Sequence, residues 1–271
     1  MGHYLFLIPI GFVVGAYGTL IGAGGGFVLM PILLLLYPHE SPEALTSISL
    51  AVVFFNALSG SAAYARMRRV DYRSGLLFAA ATVPGAILGA LTTAYIPRHL
   101  FDLIFGLLLV AMGAVLLRSP HPRRETATEA PRGALHRVLV EASGTRHAYA
   151  YNPVLGVGLS LVVGYLSSLL GIGGGIIHVP ALVHLLNFPV HIATATSHFI
   201  LAIMTLAGSL VHFATGALAR TVGRVAPLAL GVCLGAQLGA RLSDRVHGVW
   251  IMRGLALALA FVGLRILLQA L

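Results

Sequence analysis

Eight apolar segments, roughly residues 4–37, 43–65, 73–95, 100–118, 152–187, 190–219, 222–243 and 248–270, take up nearly all of this 271-residue chain. Only 9% of its residues are charged, against about 25% in a soluble domain. That much apolar length cannot be enclosed in one water-soluble core. A soluble enzyme, a disordered chain and a disulfide-stapled secreted domain are thereby excluded. The class left is an all-α polytopic membrane protein, with room for roughly seven or eight spans at about 20 residues each. The first segment has no basic leader and no small-residue cleavage site, so it reads as a membrane segment, not a removable signal.

The basic residues are all Arg, and they outnumber the eight acids to give a formal charge of +9. In a soluble protein this balance would suggest nucleic acid. Here the Arg cluster in short loops, which is how membrane proteins set their orientation, and no nucleic-acid partner is expected. Arg66, Arg68, Arg69 and Arg73 follow the second segment, and six more lie between Arg118 and Arg146. Both stretches are expected in the cytoplasm, with the Arg-free loop 38–43 on the other side. Cys233 is the only cysteine, so there is no intrachain disulfide.

Residues 119–151 are polar and Arg-rich and divide the chain into a first transmembrane repeat, 1–118, and a second, 152–271. Part of this cytoplasmic linker, 133–142, is expected to form a short interfacial helix. GAGGGFVLMP at 22–31 recurs as GIGGGIIHVP at 171–180. Thr46-Ser47 recurs as Thr196-Ser197, and GAILGA at 85–90 as GAQLGA at 235–240. Three motifs in one order at a spacing of 149 or 150 residues indicate an internal duplication into four-segment repeats, a pattern common among secondary transporters.

Each repeat opens on an anomaly. Residues 4–37 would make a helix of about 51 Å, against a hydrocarbon core of about 30 Å. Three consecutive glycines and then a proline interrupt it, and the same holds for 152–187. Each is therefore a Gly-broken helix. If the break is a re-entrant turn, the repeats are inverted and Arg220 and Arg224 share a side with loop 38–43. If the broken helix crosses fully, the repeats are parallel. The inverted arrangement is favoured, because two broken elements then meet at mid-membrane.

A Gly-rich break leaves unpaired N–H groups at the start of the next helix, where they and the helix dipole favour an anion. Gly24, Gly25, Gly26, Gly173, Gly174 and Gly175 are thus candidate substrate-binding residues. The alternative is that these glycines only let helices pack closely, a role that suits Gly85/Gly89 and Gly235/Gly239 better. The hydroxyls of Thr46, Ser47, Thr196 and Ser197 can donate to a bound oxyanion, or can simply cap and back-bond their helices. Asn56, His178 and His198 are polar groups in apolar segments, suited to lining a site or coupling protons. The histidines have no recognised metal-ligand spacing, so no metal is expected. No carboxylate lies in the middle of an apolar segment, as cation carriers commonly require. No phosphate-loop, HExxH or GxSxG motif occurs, which argues against a cofactor or an enzyme.

The twin GxGGGxxxxP signatures, Gly22–Pro31 and Gly171–Pro180, each followed some fifteen residues later by Thr-Ser, resemble the sulfite exporter TauE/SafE family over all but the linker. The resemblance implies movement of sulfite, sulfate or small organosulfonates across the bacterial inner membrane. Together with the residues it describes a secondary transporter working by alternating access, its anion held at two broken-helix N-termini. An anion channel using the same site, and a non-transporting assembly or sensor component, are the alternatives. Membrane lipid is an expected partner, and the extensive Gly/Ala faces suit a homodimer.

Overall fold

In the computed structural model, residues 4–118, 134–243, 256 and 259–268 are described. They form helices α1 (Leu7–Ile21), α2 (Gly26–Leu36), α3 (Pro42–Arg66), α4 (Tyr72–Thr93) and α5 (Arg98–Arg118). After these come strands β1 (Leu135–Val140) and β2 (Arg146–Tyr151). The chain then continues through α6 (Pro153–Leu170), α7 (Gly175–His184), α8 (Val190–Ala214) and α9 (Ala217–Leu242). A final helix, α10, spans Leu259–Leu268. Six helices, α3, α4, α5, α6, α8 and α9, are long and apolar enough to cross a membrane. Most of the last apolar segment, 248–270, and residues 119–133 of the linker lie outside the described residues.

Local chemistry sets the helix boundaries. Ser41 caps α3 through Ala44 N, with Pro42 and Glu43 in the first turn. Asp71 caps α4 through Ser74 N, and Asn152 caps α6 through Val154 N and Leu155 N. At the other end, α1 stops at Gly22 and α6 at Gly171, both in the left-handed conformation that glycine adopts freely.

Side-chain pairings give the directions. Gly60 of α3 stands against His198 of α8, and Thr46 Oγ1 lies 3.4 Å from His212 Nε2, so these two 25-residue helices run antiparallel. Helix α9 runs parallel to α3: Ser47 Oγ is 3.2 Å from Thr221 Oγ1, and Ser59 Oγ donates to Cys233 O at 2.8 Å. Both broken elements turn back. Tyr4, just before α1, packs on Gly223, and Tyr37, just after α2, lies under Arg224, which pairs with Glu40 at 2.7 Å. The α1–α2 pair therefore enters and leaves by the face that carries Glu40 and Arg224. The α6–α7 pair starts beside Tyr151 and returns to Phe188, whose ring is 5.1 Å from that of Tyr151. It enters and leaves by the opposite face, where the strands sit.

The closest packing joins helices from the two halves of the chain. A Cβ on Gly235 of α9 would lie 2.1 Å from Phe12 O of α1, and one on Gly85 of α4 would lie 2.2 Å from Leu161 O of α6. Gly239 and Gly89 repeat the contact one turn on, against Ala16 O and Tyr165 O. These glycines bring backbones together, the role their four-residue spacing indicates.

The strands correct one expectation. Residues 135–140 form not part of an interfacial helix but one strand of an antiparallel hairpin, closed by Gly144 at φ +88°. Its exposure alternates at Arg137, Val138, Leu139 and Val140, a period of two, and Val138, Val140, Tyr149 and Tyr151 are residues that favour strands. The hairpin docks on the start of α4. Tyr149 OH donates to Asp71 Oδ2 at 2.8 Å, Tyr151 OH lies 2.7 Å from Ser74 Oγ, and Arg69 Nε donates to Glu141 Oε2 at 2.8 Å. Burial, then the neighbouring Asp71 carboxylate, pushes the Tyr149 phenol well up from its ordinary range, so it stays a donor.

Two outcomes follow. Gly235→Val forces the α1 and α9 backbones apart, and overpacking of this kind costs about 1–3 kcal/mol. Gly158→Ala on α6, where nothing lies within 4 Å of a new Cβ, costs nothing. Thermal unfolding in detergent should show a lower midpoint for the first variant alone. In a Cys233→Ser background, single cysteines at positions 39 and 220 should be labelled from the same side of intact cells, and a cysteine at position 68 from the other.

Candidate functional site: the crossing of two broken helices

The two glycine breaks cross at the centre of the bundle. A Cβ on Gly26 would lie 2.5 Å from Ile172 O, and one on Gly175 would lie 2.5 Å from Ala23 Cα. Each break is therefore a wall of the other. Gly24 and Gly173 both abut Val53, near the middle of α3, and Gly24 also meets Leu201, near the middle of α8. Gly24, Gly25, Gly173 and Gly174 have φ between +73° and +79°, a region costly for any residue with a Cβ. All six candidate glycines are buried.

From this crossing α2 and α7 start in opposite senses. Their N-caps, Gly25 and Gly174, provide no side-chain cap. Val28 N and Ile177 N bond back to the cap carbonyls of Gly25 and Gly174, while the N–H groups of Gly26, Phe27, Gly175 and Ile176 have no partner within the helix. Two positive dipole ends thus face one another inside an apolar bundle, where an anion between them is favoured. Among the described residues the acidic side chains sit at the two faces or in the hairpin, so none supplies that charge.

The hydroxyl residues divide. Thr46 lies beside Gly171 and donates to Pro42 O at 2.9 Å, while Ser47 donates to Ala44 O at 2.8 Å and meets α9 at Thr221. Thr196 accepts from Asp71 N at 3.1 Å, at the α4 side of α8. Ser197 is fully buried and its Oγ has no partner. The residue that stands at Gly22 as Thr46 stands at Gly171 is Thr194, not Thr196. Ser49, which sequence reasoning did not single out, donates to Gly171 O. Ser167 and Ser168 were also missed; both are buried without a partner, and Ser167 Oγ lies 2.6 Å from where a Gly174 Cβ would be.

Asn56 and His198 come together at the tip of α1. Thr19 Oγ1 donates to Asn56 Oδ1 at 3.2 Å, which leaves it as acceptor for His198 Nε2 at 3.3 Å. Tyr64 OH donates to Thr19 O at 2.8 Å, and its ring meets His198 edge-on. His178 lies elsewhere, in the first turn of α7, with Nε2 3.2 Å from Ser160 Oγ. Thr19 and Ser168 each precede the first glycine of a break by three residues, a recurrence that could have flagged them. Among the described residues no group of three His, Cys, Asp or Glu is placed to hold a metal.

A family model described as "Sulfite exporter TauE/SafE" matches residues 7–266. The chain belongs to the sulfite exporter TauE/SafE family. It is 31% identical to a Bacillus subtilis (strain 168) protein named "Probable membrane transporter protein YunE", over 98% of both chains. A Methanocaldococcus jannaschii relative named "Probable membrane transporter protein MJ0441" is 24% identical over 98% of this chain and 97% of its own. A Xylella fastidiosa (strain Temecula1) "Probable membrane transporter protein" is 28% identical over 90% and 88%. No solved structure matches. As a TauE/SafE member this multi-pass chain is a membrane transporter, the class its relatives are named for, and not an enzyme.

Thr19→Val keeps the shape of the side chain but strands Asn56 and His198. A buried polar group left unpaired costs about 1–3 kcal/mol. Tyr64→Phe removes one donor and leaves only a helix carbonyl. The unfolding midpoint of the purified TauE/SafE protein should therefore fall further for Thr19→Val than for Tyr64→Phe.

Proposed function

We propose that the chain is a secondary transporter that moves sulfite, a small organosulfonate or a related sulfur oxyanion across the bacterial inner membrane by alternating access. The observation that carries this reading is the pair of uncapped helix N-termini, α2 and α7, facing each other at the glycine crossing. A dry site cannot hold an anion unpaired without a penalty of several kcal/mol. Gly24 N is already bonded to Gly18 O at 3.1 Å, so the N–H groups of Gly25, Gly26 and Gly173–Gly175 are the donors, and they place no full charge in the membrane. The partnerless hydroxyls of Ser167 and Ser197 are further donors, whereas Thr46, Ser47 and Thr196 hold helices together. The family description supplies sulfur as the central atom of the anion.

The same reading takes residues 1–118 and 152–271 as inverted repeats of one ancestral unit, joined by the linker 119–151. The opposed entry of α1–α2 and α6–α7 supports it, as does the matching of Gly85 on Leu161 by Gly235 on Phe12. The pairs α1/α9 and α4/α6 then rock about the crossing to expose it to either side. His178 and His198, the latter tied to Asn56 through Thr19, are buried titratable positions through which a proton gradient would act, and His212 is a third.

Proteoliposomes test this directly. Sulfite or a sulfonate inside should drive saturable uptake of labelled anion from outside. Gly174→Val should abolish it while remaining monodisperse in detergent. Loss of a hydrogen bond to a charged group costs about 1.5–3 kcal/mol, so Ser167→Ala should raise KM roughly tenfold to a hundredfold; Ser47→Ala should leave it unchanged. Flux that never saturates would indicate a channel, and absence of any anion flux would overturn the transporter reading.

A further inference from the structure

Where the C-terminal ends of α3 and α9 meet the hairpin tip, the protein forms a half-open cavity of about 380 Å³. Its lining includes Arg66, Arg69, Arg241, Gln237, Glu141 and Ser143. Arg69 is buried and bonded to Glu141 at 2.8 Å, so that pair carries no net charge into the cavity. Arg66 and Arg241 are exposed, and among the described residues no carboxylate pairs with either. Two uncompensated guanidinium groups therefore share one concavity. Orienting a membrane protein requires Arg in the loops on one side, but not that they converge. The walls are held in place: Gln237 Nε2 donates to Ser59 O at 2.8 Å, and Ala142 N donates to Met67 O at 3.0 Å.

A guanidinium offers a planar fork of N–H groups that matches two oxygens of one anion. Two such forks around a cavity in the size range of small-molecule pockets, roughly 300–1,000 Å³, suit an oxygen-rich tetrahedral group. Arg66 lies thirteen residues beyond Val53 along α3, roughly 20 Å from the crossing at 1.5 Å per residue. The geometry points to a second anion site at the hairpin face, built by Arg66 and Arg241, that takes a tetrahedral oxyanion group. A free sulfate-like anion presents that chemistry, and so does the phosphate of an anionic lipid at the end of α3. The site does not depend on the transport reading of the crossing.

The test uses the full chain purified in detergent at low ionic strength, because salt screens exposed charges within about 8–10 Å. One arm titrates sodium sulfate against chloride of equal ionic strength by calorimetry. The other compares retention of phosphatidylglycerol and phosphatidylcholine by native mass spectrometry. Saturable binding of sulfate, or selective retention of phosphatidylglycerol, is expected, and the arm that responds identifies the source. The double variant Arg66→Gln/Arg241→Gln should weaken that binding at least roughly tenfold, the loss of one or two charge-assisted contacts. Arg146→Gln, which removes an exposed charge on β2 outside the cavity, should leave it unchanged, as should Ser167→Ala at the crossing. Binding of neither probe overturns the proposal. So does binding that survives the double variant, or that Arg146→Gln weakens equally, since the effect would then be diffuse charge.

Discussion

A backbone N–H that leaves its helix inside a bilayer finds no water to bond to, and the cost is several kcal/mol for each such group. This chain breaks two helices at that depth, and the remaining architecture encloses the break. The two glycine segments cross against each other, with Ile172 O facing Gly26 and Ala23 facing Gly175. The antiparallel helices α3 and α8, each 25 residues long, pass the crossing at their midpoints, Val53 and Leu201. Side chains are excluded there because two backbone turns already occupy the space, and the left-handed φ values at Gly24, Gly25, Gly173 and Gly174 reinforce the exclusion.

Much of this was legible before any coordinates. Apolar length far beyond a bilayer, interrupted by three glycines and a proline, marks a broken helix, and Gly85/Gly89 at four-residue spacing marks a close helix contact. Two things were not legible. Counting Arg could not separate a re-entrant turn from a full crossing, because the loops are short and their charges few; the decisive observation is one ion pair, Arg224 with Glu40, between residues 184 positions apart. The recurring Thr-Ser dipeptides also suggested a spacing of 150 between α3 and α8. In α3 and α8 the contacts run at 148, Thr46 on Gly171 and Thr194 on Gly22, since α7 is one residue shorter than α2 and a second threonine lies two positions earlier. The hairpin escaped because His, Arg, Val and Leu in 135–140 satisfy a helical stripe almost as well as an alternating one, and its stabilising partners, Asp71 and Ser74, belong to a distant helix.

The crossing is symmetric in backbone and asymmetric in side chains. Near Gly22 the polar groups are Thr19, Asn56, Tyr64 and His198, joined into one network. Near Gly171 they are Thr46, Ser49 and His212, while Ser168 and Ser209 are left without partners. On the Gly22 side Thr19 ties the side chains together, though Asn56 Nδ2 keeps a spare donor; on the Gly171 side the spare groups are hydroxyls. On the proposed reading, an anion at the centre would meet a linked polar cluster on one side and unlinked hydroxyls on the other.

The glycine seams also bear on how the chain is made. Helix α1 leaves the ribosome long before its closest partner, α9, which begins at Ala217. Until α9 arrives, the notch cut by Gly11 and Gly15 faces lipid, and the α1–α2 turn lacks the α6–α7 turn that walls it. Helix α4 waits in the same way for α6, though for a shorter stretch of chain. Insertion must therefore run well ahead of packing, with the first five helices held loosely in the membrane until the second half threads between them. The hairpin is made between the two events and docks on α4 through Asp71, so it can anchor that loose half while the rest is synthesised.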